Sequence, residues 1–148
     1  MRLSRWSRIL PLAIAFAACT SSVDPNAVPG AYGLHDINGR ALPTFQAATP
    51  GSLTVRSGGL SLDFNGTAQL IQSLSQGDGT ERTDTLNFTY QIKGHELIFQ
   101  FSQACPADAN CISPPTGRIA EHSFINVNMG SVDNVPIVYN FQRITLAY

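Results

Sequence analysis

The chain has 148 residues, the size of one domain plus a short leader, and 43% of them are hydrophobic, enough for a packed core. Charged residues make up only 13%, while 12 Gly and 9 Pro mark many turns, a balance that suits an exported β protein better than a cytosolic helical one. The formal charge is −1, but Arg2, Arg5 and Arg8 all precede Cys19; from there on six scattered basic side chains face ten acidic ones, a net −4 with no cluster to grip a phosphate backbone, and nucleic acid is excluded as a partner.

The first segment has the three parts of an export signal. Arg2, Arg5 and Arg8 supply the positive start, and Ile9 to Ala18 is apolar apart from Pro11. That run is half of the ~20 residues a spanning helix needs, so it directs export without itself anchoring the chain. It ends in Phe16-Ala17-Ala18-Cys19, which resembles the lipobox of bacterial lipoproteins, with Phe16 where that family usually carries Leu. The resemblance implies that residues 1–18 are a lipoprotein signal peptide, that Cys19 is acylated, and that the mature chain is held by its lipid in the outer membrane. Ordinary cleavage after Ala17 is the alternative. Residues 19–29, rich in Ser, Asp, Pro and Asn, read as a flexible tether to a domain over 30–148.

From Gly30 the pattern is period two throughout. Tyr32 and Leu34 share one face of a first strand, closed by the tight turn Asn38-Gly39. Thr44 to Gly51 reads as a loop. Ser52–Arg56 and Leu60–Phe64 read as two strands broken by Gly58-Gly59, and Thr67–Leu74 as a fourth. After a polar loop from Ser75 to Arg82 comes the clearest signal in the chain. Leu86, Phe88, Tyr90 and Ile92 alternate with polar residues, Gly94-His95 breaks the run, and Leu97, Phe99 and Phe101 resume it. Aromatic and β-branched residues in that rhythm predict an antiparallel hairpin with one buried face. Ser102 to Pro115 is an irregular excursion. Gly117–Val127 reads as one strand, Asn128 to Asn134 as a turn region, and Ile137, Tyr139 and Phe141 as the last strand.

No segment keeps apolar residues at helical spacing for three turns. About eight short strands joined mostly by hairpins predict an all-β, antiparallel up-and-down barrel, whose closure removes exposed edges. The chain resembles the small lipocalin-like lipoproteins of bacteria. The residues that carry the likeness are Gly30-x-Tyr32-x-Leu34, Asn38-Gly39 with Leu42-Pro43, Asn65-Gly66-Thr67, Cys105-Pro106 to Cys111, and Val138-Tyr139 with Arg143. Lipocalins place Trp where Tyr32 stands here, and the likeness implies that Arg143 packs near Tyr32 at the barrel base. A small transmembrane barrel is the competing architecture, but its strands need about 9–11 residues, longer than Ser52–Arg56 and Leu60–Phe64 allow.

The interior candidates are Tyr32, Leu34, Phe88, Tyr90, Phe99, Phe101, Tyr139 and Phe141, which either fill the barrel or line a cavity for one small apolar ligand. Cys105 and Cys111 form an even pair in an exported domain and read as a structural disulfide, since a metal would need about two further ligands. His35-Asp36 and Glu121-His122 are neighbours on strands, so each pair is expected to point to opposite faces. No nucleophile elbow, phosphate loop or metal motif occurs, so the chain is expected to be no enzyme and to carry no cofactor. Two functions remain in view. One is a lipid-anchored barrel that binds a small hydrophobic molecule; the other is an envelope module with a solid core that meets a protein partner.

Overall fold

The structure is a computed structural model and describes residues 23–48, 51–103, 113–121 and 123–145. The signal peptide, Cys19, the Cys105–Cys111 pairing and His122 lie outside the described residues. A 3-10 turn at Pro25–Ala27 precedes β1 (Gly30–Ile37), β2 (Arg40–Ala41), β3 (Thr44–Ala48), β4 (Gly51–Leu62), β5 (Thr67–Gln76), β6 (Glu81–Lys93), β7 (Glu96–Phe101), β8 (Thr116–Glu121), β9 (Phe124–Val132) and β10 (Val135–Arg143). All pairings are antiparallel. From β4 to β10 each strand pairs with the next in sequence, and β1 pairs with both β10 and β4, which closes an eight-stranded barrel. The short β2 and β3 lie at its margins as partners of β1 and β4.

The count of eight agrees with the sequence reading, but its composition does not. Ser52–Arg56 and Leu60–Phe64 are not two strands; they are the single strand β4. A bulge between Val55 and Ser57 makes Arg56 the extra residue, so the inward positions shift from odd to even numbers. The alternation loses its phase there while the strand continues. Gly58 does not break it either: a Cβ at that position would sit 3.0 Å from Leu34 Cδ2 and 3.2 Å from the Ile71 carbonyl oxygen, so glycine lets neighbouring strands close in.

The opposite correction applies to Gly117–Val127, which is not one strand but β8 and β9. The chain reverses where Glu121 pairs with Phe124. Ile119, Ile125 and Val127 keep the same parity across the reversal, and no Gly or Pro marks it. The expected loop at Thr44–Gly51 holds β3, which forms a hairpin with the first half of β4, from Ala48 opposite Gly51 to Thr44 opposite Val55. The supposed turn region from Asn128 is strand to Val132, and the reversal is confined to Asp133-Asn134, both at positive φ. Likewise β6 begins at Glu81, well before the aromatic run, and pairs with β5 back to Ser75.

The interior is the aromatic and aliphatic face that the alternation marks. Tyr32, Leu34, Phe88, Tyr90, Phe99, Tyr139 and Phe141 are all buried, and Phe101 is half-buried. Their rings pack on one another: Phe88 lies 5.5 Å from Phe99 and 5.2 Å from Phe101 by ring centroids, and Tyr139 lies 6.1 Å from Phe141. Among the described residues no buried side-chain polar atom lacks a hydrogen-bond partner.

The two ends of the barrel differ. At the base, where β1 begins and β10 finishes, residues 23–29 dock instead of continuing as a free tether. Val28 is buried, and Val23 packs on the core. The Arg143 guanidinium donates to the carbonyls of Ala27 and Pro29, the latter at 2.7 Å, and lies 5.6 Å from the centre of the Tyr32 ring. Gly30 leaves room for it, because a Cβ there would sit 2.7 Å from Arg143 Nη2. The Tyr32 hydroxyl donates to the Val28 carbonyl at 2.5 Å. Burial raises the Tyr32 pKa, against the opposing pull of Arg143, so the phenol keeps the proton this bond needs.

Candidate functional site

At the mouth, opposite the base, three hairpins come together. These are the β1–β2 turn at Asn38-Gly39, the β3–β4 hairpin and the β9–β10 hairpin, whose tip passes beyond the end of β8. Between them lies a half-open cleft of about 420 Å³. The buried Ile37 and half-buried Ile137 give it an apolar lining, Phe45 and Val135 stand 58% and 59% exposed on it, and Arg40 and Asp133 add one charge of each sign.

Local chemistry fixes this geometry. Asn38 and Gly39 take positive φ in a two-residue hairpin loop, which Asn and Gly tolerate best. The Asn38 side chain then ties the turn to β10: its Oδ1 accepts from the Val138 amide at 2.7 Å and its Nδ2 donates to the Pro136 carbonyl at 3.0 Å. Next to it the Asp36 carboxylate accepts from the Gly39 amide at 2.8 Å and from the Asn140 side chain. The wall that faces the cleft is therefore a bonded unit.

The expectation that His35 and Asp36 point to opposite faces is overturned. His35 Nδ1 lies 3.0 Å from Asp36 Oδ2. Between Leu34 and Asp36 the register of β1 on β10 shifts by one residue, a bulge that breaks the alternation, turns the two side chains together and brings Ile37 inward. With His35 61% exposed and Asp36 16%, the pair sits at the surface beside the cleft. Burial acts to raise the Asp36 pKa, but hydrogen bonds from His35, Asn140 and Gly39 outweigh it and hold the carboxyl below its usual value.

That shift has a sign. A carboxylate whose folded pKa is depressed adds stability above its unfolded pKa, and the contribution is lost as pH falls through the folded value. Asp36→Asn should therefore lower stability at neutral pH by about 1 kcal/mol, the order of one hydrogen bond, and flatten the acid limb of the stability curve. Asp78, whose pKa is lowered by bonds from Thr80, leaves the variant a residual slope. Urea midpoints between neutral and acid pH test this, and a variant curve parallel to wild type would count against the network.

The eight interior residues named from the sequence all face the barrel interior, seven buried and Phe101 half-buried, whereas apart from Ile137 the cleft is built from residues the alternation does not single out. The sequence pattern puts Phe45 in a loop, and Asp133 and Val135 in and beside a turn. One signal was present: Phe45 is the one aromatic residue between Tyr32 and Phe64. His95 is exposed in the β6–β7 turn, where its carbonyl accepts from the Ile119 amide at 2.8 Å. No group of three His, Cys, Asp or Glu able to hold a metal ion occurs among the described residues. Compared with protein-family models, curated proteins and solved structures, the chain gives no match.

Proposed function

We propose that this protein is a binding module of the cell envelope, held in the outer membrane by a lipid on Cys19, whose barrel mouth takes up one small, largely apolar molecule. The observation that carries the reading is the cleft of about 420 Å³ with Phe45 and Val135 standing exposed on it. Small-molecule sites fall at ~300–1,000 Å³ and combine apolar walls with a few polar groups, a role open here to Arg40 and Asp133. The ligand binds at the end of the barrel, because the interior is filled by one cluster of buried apolar side chains drawn from all eight strands. Binding there is non-covalent and needs no cofactor, and the protein is not a catalyst.

Native mass spectrometry on the protein purified from its own cell envelope tests this. The expected result is a reproducible adduct that disappears on denaturation and is lost when Phe45 and Val135 are both replaced by serine. A clean ligand-free mass, repeated after exposure to lipid extract, would overturn it. That outcome would favour the second reading, an envelope module that meets a protein partner, whose supporting observation is the ring-on-ring packing of the interior.

A further inference from the structure

The base of the barrel is where the chain's N-terminal segment arrives, and it carries the most exposed large apolar side chain at this end. Gly30, the first residue of β1, pairs with Leu62, the last of β4, so the β4–β5 turn adjoins the entry of the chain. The alternation of Leu60, Leu62 and Phe64 predicts an inward Phe64. Instead β4 stops at Leu62, and Phe64 stands 81% exposed in the turn. Ile144, 54% exposed, lies on the same rim, its amide donating to the Ala31 carbonyl at 2.9 Å.

The turn that presents Phe64 is firmly built. The Asp63 carbonyl accepts from the Tyr90 hydroxyl at 2.8 Å and from the Gly66 amide at 3.0 Å. Asn65 Oδ1 accepts from the Thr67 amide at 2.9 Å and from the Thr67 hydroxyl at 2.7 Å. None of these bonds uses the Phe64 ring, so a polar residue would serve the turn equally well. Phe64 and Ile144 thus leave two large apolar side chains exposed on the rim where the chain enters, open to a surface that covers both.

Chain length says which surface. Only three residues separate Cys19 from Val23, the first described residue packed on the core. Fully extended, those four steps reach at most ~14 Å, whereas the nine residues of β10 from mouth to base span ~30 Å. We infer that the protein stands end-on upon the membrane that holds its lipid, with Phe64 seated in the lipid interface and the cleft turned to the water. This rests on the acylation of Cys19 in the proposed function. Asp24, Asp63, Lys93 and Glu96 mix both signs around the base, so the contact is apolar and independent of anionic lipid, unlike one made by a basic patch.

The chain's single Trp, Trp6, belongs to the leader, so the mature protein has none and one introduced Trp reports alone. Full-length Phe64→Trp and Phe45→Trp would be expressed, purified in their acylated form and reconstituted into neutral phosphatidylcholine vesicles with bromines near the headgroup end of the acyl chains. Flotation with the vesicles reads the anchor; fluorescence reads the orientation. The expected result is that both proteins float and that Trp at 64 is blue-shifted and quenched ~2-fold, as an aromatic at headgroup depth would be, while Trp at 45 is unaffected. Adding anionic lipid or salt should change neither. Flotation with no quenching at 64, or equal quenching at both positions, would overturn the end-on arrangement while leaving the anchor intact. Failure to float would overturn the anchor itself, and the arrangement with it.

Discussion

Phe88→Ala is expected to remove about 3–5 kcal/mol of folding stability, the range for emptying a buried aromatic site. Phe88 is 1% exposed and contacts two other rings, Phe99 at 5.5 Å and Phe101 at 5.2 Å by centroids. Truncation leaves those rings without a partner as well as opening a void, so the loss includes aromatic pairing of about 0.5–1.5 kcal/mol per pair. A domain of this size has about 5–15 kcal/mol in total, so the variant sits near the edge of folding. Urea denaturation at neutral pH measures it. Phe88→Leu, which keeps most of the volume, should lose far less. A Phe88→Ala midpoint equal to wild type would mean that the ring is not held in the core.

Arg143→Met is expected to cost about 2–4 kcal/mol, since hydrogen bonds to a charged donor contribute about 1.5–3 kcal/mol each and water at the base offsets part of the loss. Methionine keeps the apolar stem but removes the donors to the Ala27 and Pro29 carbonyls and the cation over Tyr32. The segment 23–29 then loses its lock on the barrel, so limited proteolysis near Asn26 should accelerate even where the barrel stays folded. Arg143→Lys should recover only part of the loss, because a point charge on a flexible stem cannot hold both carbonyls as a planar fork does. Equal stability of Arg143→Met and wild type would show that the base is closed by Tyr32 and Val28 alone.

Most of the inward face was legible because burial on a strand repeats every second residue. Phe88, Tyr90, Phe99, Tyr139 and Phe141 follow that rule, and all are buried. The rule misleads where the phase slips, and equally where a reversal keeps it. The bulge at Arg56 made one strand look like two, the bulge at His35 hid the His35–Asp36 contact, and the reversal at Glu121–Phe124 kept its phase and so went unmarked. Two of these misreadings cancel, which is why eight strands were expected and eight form the barrel. Phe64 is a fourth case: its spacing is that of a core residue, but the strand ends before reaching it.

By itself the sequence determined the all-β class, the hairpin from β6 to β7, the aromatic interior and the two-residue turn at Asn38-Gly39. Each is a local matter of side-chain period or of a backbone conformation that Asn and Gly accept. Only the tertiary structure decided that β1 bridges β10 and β4, and that Ile37, Phe45 and Val135 meet at the mouth while Phe64 and Val23 share the base. Closure joins strands far apart in sequence, and the side chains it gathers at either end obey no period along the chain.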